Sequence, residues 1–156
     1  MTGDGQRWNK VFCSVAVSLG LVQCGPVYEP TGVVGVEALV RSGLIGHWAI
    51  NCDVEFTEKN PHLIYAVPEK GDPTEKLLMD ALRNRTTPLR DIRELKGGMI
   101  EWTQPLHEGS VKVVTRISKG RQKTWSSTLP TGTIVIDQGQ YDGGGEVPWF
   151  NRCSEG

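Results

Sequence analysis

The chain has 156 residues, of which 38% are hydrophobic and 22% charged, and its formal net charge is −1. That length suits one domain with a core of its own, and the composition excludes a largely disordered chain. The near-zero balance also excludes a broadly basic nucleic-acid binder, so any anion site must rest on local charge.

Arg7 and Lys10 precede an apolar stretch at residues 11–22 that runs up to Cys24. The layout superficially resembles a bacterial lipoprotein signal, with Gln23 where a small residue is expected. A strand is the better reading, because Val11, Cys13, Val15, Val17, Leu19 and Leu21 alternate without a break. The stretch is shorter than the roughly 20 apolar residues that span a bilayer. Strand pieces at 26–28 and 33–36 then flank Glu29-Pro30-Thr31-Gly32, a turn by its Pro and Gly chemistry. The cleanest alternation follows. Trp48, Ile50, Cys52, Val54 and Phe56 share one face, and His47, Ala49, Asn51, Asp53 and Glu55 the other. Glu58-Lys59-Asn60-Pro61 returns this strand into residues 63–67.

The middle of the chain has helical texture. Asp72-Pro73-Thr74-Glu75 offers a capping side chain, Pro at the first helical position and Glu three residues after the cap. Leu77, Leu78, Ala81 and Leu82 supply an apolar stripe. A second short helix is expected from Pro88, burying Leu89, Ile92 and Leu95 and stopping at Gly97-Gly98.

Strand texture resumes at Met99-Ile100-Glu101-Trp102. Residues 109–136 then carry Lys112, Arg116, Lys119, Arg121 and Lys123 and no acidic residue. Val111, Val113 and Ile117 alternate with Lys112, Val114 and Arg116, and Ser118-Lys119-Gly120-Arg121 reads as a turn. A basic β-hairpin with Trp125 on its return strand is predicted. Several cations on one surface with a nearby aromatic suit phosphate contacts and base stacking, while Lys on an exposed hairpin also guards a sheet edge. A last strand is expected at Thr133-Ile134-Val135-Ile136.

The expected fold is α+β: a predominantly antiparallel β-sheet domain over residues 1–139 with a central pair of short helices. A Gly-rich C-terminal arm, 140–156, follows it. Val147, Trp149 and Phe150 on that arm are the expected anchors for a neighbouring subunit.

Four cysteines, Cys13, Cys24, Cys52 and Cys153, show no CxxC spacing, so no structural zinc is expected, nor any cofactor. Cys13 and Cys52 fall on apolar strand phases and read as reduced core residues, which points to a reducing compartment, the cytoplasm or the inside of a particle. Whether Cys24 pairs with Cys153 is left open. His47, Asp53 and Glu55 form a polar strand face suited to an acid and base pair, to a cation, or simply to solvent. His107 reads as a loop residue. Gly143-Gly144-Gly145 lacks the strand-to-helix setting of a phosphate loop.

Gln23-Cys24-Gly25-Pro26-Val27-Tyr28, followed by Gly32-Val33-Val34-Gly35-Val36, resembles the nucleophile region of chymotrypsin-like proteases. The resemblance covers about 14 residues, and the Gly-Asp that normally precedes the nucleophile is Val22-Gln23 here. It implies Cys24 as a thiol nucleophile; that family places its His and Asp in an earlier barrel, so His47 or His62 would supply the base only in an unrelated arrangement.

Three functional expectations follow. The leading one is a non-enzymatic binding or structural protein, a self-associating subunit of a larger particle, viral ones included. The second is a nucleic-acid-binding module using Lys112, Arg116, Lys119, Arg121, Lys123 and Trp125. The third is a small cysteine hydrolase built on Cys24, His47 and Asp53.

Overall fold

Alternation of inward and outward side chains along most of the chain builds one long antiparallel ladder, seen in a computed structural model that describes residues 28–80 and 82–154. Cys13, Cys24 and the alternating stretch at 11–22 lie outside the described residues. The elements are β1 (Pro30–Val34), α1 (Gly35–Ser42), β2 (Gly46–Ala49), β3 (His62–Ala66), β4 (Thr74–Leu78), β5 (Arg85–Pro88), β6 (Arg90–Leu95) and β7 (Met99–Pro105). Then come β8 (Ser110–Ser118), β9 (Arg121–Thr128), β10 (Ile134–Asp137), β11 (Gln140–Tyr141) and β12 (Phe150–Arg152). Neighbours in the sheet run β1-β6-β7-β8-β9-β12-β2-β3-β4-β5, and the β10–β11 hairpin joins through β9.

The register explains the core. Trp102 sits opposite Val113 and Ile100 opposite Thr115, while Gln122 faces both Ile117 and Phe150. These residues share the inner face with Trp48 and Tyr65, and Ala38 and Leu39 of α1 pack onto them. The helix stops at Gly43 (φ 72), whose N–H reaches the carbonyl oxygens of Leu39 and Val40.

The mostly antiparallel sheet agrees with the expected class, but the expected pair of central helices does not form. Residues 74–78 and 90–95 are strands, and the single helix among the described residues is α1, where the sequence suggested a strand. The helix-start signature at Asp72-Pro73-Thr74-Glu75 is spent otherwise. The Pro73 carbonyl accepts from the Leu89 N–H (2.7 Å), and Glu75 turns inward opposite Tyr65. Leu82, on the supposed apolar stripe, is 95% exposed. The three-residue spacing of Leu89, Ile92 and Leu95 comes from a β-bulge between Arg90 and Arg93, with Asp91 at φ 50, which resets the inward phase of a strand.

Two further expectations are corrected. The strand expected over 47–56 ends at Ala49, because residues 51–60 fold back on the Asn60 side chain, which donates to the Asn51 and Val54 carbonyl oxygens (both 3.0 Å). Cys52 then forms a disulfide with Cys153, so it is not a reduced core thiol. The segment 140–154 is likewise no separate arm. Its β12 lies between β9 and β2, and Val147 and Phe150 are buried in the chain's own core. Among the described residues, no helix is long and apolar enough to cross a membrane.

Among the described residues two acids are buried, Glu101, which pairs with Arg93, and Glu75, which faces Tyr65. The Tyr65 hydroxyl donates to Glu75 Oε2 (2.9 Å), and Glu75 is 8% exposed. Burial pushes its carboxyl above the ordinary value, against the lowering pull of hydrogen bonds from Gln104 and Tyr65 and of the Arg85 charge. A raised native value means that the folded state holds this proton more tightly than the unfolded chain does. The resulting stability is complete below the unfolded value of about 4.3 and is lost as pH rises through the native one. Glu75→Gln keeps the hydrogen-bonding shape and removes the titration. The variant should therefore melt higher than the parent at pH 7, by a margin that shrinks at pH 4. A variant that melts lower by the same amount at both pH values would refute this account of the core.

Candidate anion-binding surface

The predicted basic hairpin is present. Strands β8 and β9 join through a two-residue turn, Lys119-Gly120, with φ of 51 and 69. Positive φ at both central residues matches the right-handed twist of the flanking strands, and Gly120 adopts it without strain. Ser118 faces Arg121 and Arg116 faces Lys123, which puts Arg116, Arg121 and Lys123 on one outer face. The register shifts between Val114 and Thr115, leaving Trp125 as the extra residue of a bulge and aiming its ring back along that face.

A ladder of cations and indoles results. The Arg116 guanidinium carbon lies 4.9 Å from the centroid of Trp125. Lys123 Nζ lies 6.0 Å from Trp125 and 5.2 Å from Trp149. The Arg121 guanidinium carbon is 5.1 Å from Trp149. Each indole therefore has two cations over it, a favourable placement against the ring quadrupole. Trp149 enters because β12 pairs with β9, placing Phe150 opposite Gln122 and Asn151 opposite Arg121.

The members of the ladder differ in what they can offer. The Lys123 side chain is only 5% exposed, and its ammonium meets Glu146 Oε1 at 2.7 Å. That hydrogen bond and charge hold the Glu146 carboxyl below its ordinary value. Gly139 (φ 76) closes over the lysine stem, where an added Cβ would run into Lys123 and touch Trp125. Lys123 is thus an internal strut, contrary to its expected role as a ligand contact. Trp125 and Trp149 are half-buried supports beneath cations, so the expected stacking of a base on Trp125 has no clear ring to use. Lys112, Arg116, Lys119 and Arg121 are exposed, and among the described residues none of the four joins an ion pair. Of the three expected partner anchors, Val147 and Phe150 are core residues, and Trp149 belongs to the ladder.

Among the described residues, His47 and Asp53 of the expected hydrolase constellation do not come together. His47 Nε2 lies 2.9 Å from His62 Nδ1, and His62 Nε2 lies 3.0 Å from the Val54 carbonyl oxygen. Asn60 Nδ2 also lies 3.1 Å from His62 Nε2, so both ring nitrogens of His62 are taken up by His47 and the 51–60 loop. Burial and then the neighbouring His62 push the His47 imidazole below its ordinary value. Asp53 is exposed on the turn beyond, its N–H donating to Asn51 Oδ1 (3.0 Å). The hollow beside His47 is lined by Gly46, Arg152, Cys153 and Ser154, with no carboxylate. Cys24 lies outside the described residues. Val33 and Val34 lead into α1 rather than into the strand that the protease resemblance implies. Among the described residues, no three of His, Cys, Asp and Glu gather where they would hold a metal ion.

Sequence reasoning missed Trp149, Glu146 and Gly139 as parts of this face. Only the positions of Lys123 and Trp125 two residues apart on one strand hinted at it. Compared with protein-family models, curated proteins and solved structures, the chain has no match.

Proposed function

We propose that the domain is a non-enzymatic binding module for a linear polyanion, held across the outer face of the β8–β9 hairpin. The observation that carries this reading is the ladder itself. Arg116 and Arg121 ride on Trp125 and Trp149, which fixes two long side chains that would otherwise lose rotamer entropy on binding. Among the described residues neither guanidinium enters an ion pair, which leaves its N–H edge for a bidentate contact with phosphate or sulfate. Arg116 and Arg121 lie diagonally across the two strands, with Cα atoms about 7–8 Å apart, and Lys112 and Lys119 extend the row on either side.

Because the indoles already carry cations, recognition reads repeated charge and not base identity. Single-stranded oligo-dT and oligo-dA of equal length should bind within about threefold of each other, and a sulfated polysaccharide should compete. Affinity should fall steeply between about 50 and 200 mM salt, as counterion release requires. Fluorescence anisotropy would measure this. No binding at low salt, or a strong preference for one base, would defeat the reading.

The self-associating subunit stands as a second reading. Val34, Val36 and Val40 are 64%, 43% and 62% exposed beside β1, which pairs with β6 alone in the described sheet. A solution mass above that of one chain would support it.

A further inference from the structure

We infer that Asn84 is an acceptor for an N-linked glycan. Asn84-Arg85-Thr86 is the one Asn-x-Ser/Thr triplet with a non-proline middle residue in the sequence. It lies in the turn from β4 into β5, and Asn84 and Thr86 are both exposed. The Asn84 Oδ1 accepts from the Met79 N–H (3.1 Å), which orients the amide, and no hydrogen bond among the described residues uses its Nδ2.

A second and independent observation concerns the compartment. The Cys52–Cys153 disulfide joins residues 101 positions apart. Such bonds form and persist in oxidising compartments, the secretory lumen among them, where N-linked glycans are also attached. The third is the place of the triplet in the sheet. Among the described residues, strand β5 ends the order and pairs with β4 alone, with Arg85 opposite Leu77 and Thr86 opposite Lys76. A hydrated glycan at the start of this strand would shield an open edge from pairing with another chain.

The donor is a lipid-diphosphate-linked oligosaccharide. The C1–O bond to phosphate breaks, and C1 forms a bond to Asn84 Nδ2. The lipid diphosphate leaves with the electron pair, and Nδ2 gives up one proton to the transferring enzyme.

The test is to produce the full chain in the secretory lumen of a eukaryotic cell and weigh it intact, before and after treatment with peptide N-glycosidase. The expected result is a glycan whose removal leaves Asp at position 84. Asn84→Gln and Thr86→Ala should each abolish it, while Thr86→Ser retains it. An unmodified Asn84 in a chain whose disulfide has formed would overturn the inference, as would a glycan that persists in Asn84→Gln. A chain recovered from the lumen with Cys52 and Cys153 reduced would overturn it too, by removing its second support.

Discussion

Deleting residues 146–156 should abolish cooperative folding, a larger loss than any point substitution in the domain should cause. Strand β12 is internal to the sheet, so its loss opens the ladder between β9 and β2. The deletion removes Val147 and Phe150 from the core, each worth about 1.5–3 kcal/mol of apolar burial. It also removes the Arg152 fork, whose Nη1 and Nη2 donate to the Gly43 and Ile45 carbonyl oxygens (3.0 and 2.8 Å) and close the end of α1 against β2. With the disulfide gone as well, the combined loss is comparable with the whole stability of a typical domain, about 5–15 kcal/mol. Circular dichroism should show no sigmoidal melt. A truncated chain that melts cooperatively near the parent temperature would show that the C-terminal segment is dispensable to the fold.

Breaking the disulfide alone should have the second-largest effect. Its closed loop is 101 residues in sequence separation, and chain entropy then gives about 4–5 kcal/mol of stabilisation through the unfolded state. Cys52→Ser with Cys153→Ser, or reduction of the parent chain, should lower the urea midpoint by a matching amount. The slope with denaturant should rise, because the uncrosslinked unfolded chain exposes more surface. The double variant should lose its sensitivity to reductant altogether. If reductant leaves the parent's midpoint unchanged, the bond contributes nothing to the native protein.

The sequence makes the basic hairpin legible because every local signal there agrees: apolar and charged residues alternate, and Ser118-Lys119-Gly120-Arg121 supplies the turn. The central helices fail for the opposite reason. A capping signature and a three-residue apolar spacing are local, whereas Glu75 is drawn inward by Tyr65 on the neighbouring strand and Asp91 is bulged against β7. Pairing between segments distant in sequence overrides weak local preference. The C-terminal segment misleads in a similar way. Its glycines suggest a loose arm, but Phe150 pairs with Gln122 on β9 while Asn151 and Arg152 pair with Ala49 and Trp48 on β2. The candidate site was half legible. Its cations stand in one acid-free run, while Trp149, which completes the ladder, lies 24 residues beyond Trp125 and meets it only through the sheet.

The central claim is that Arg116 and Arg121, held on their indoles, contact the repeated charges of a polyanion. The most direct measurement is the slope of log affinity against log salt for oligo-dT, in the parent chain and in Arg116→Ala/Arg121→Ala. Each single-strand phosphate neutralised contributes about 0.7 to that slope. The double variant, folded by circular dichroism, should bind more weakly, with a slope shallower by about 1.4. An unchanged slope in the folded variant would contradict the claim and move any binding to another surface.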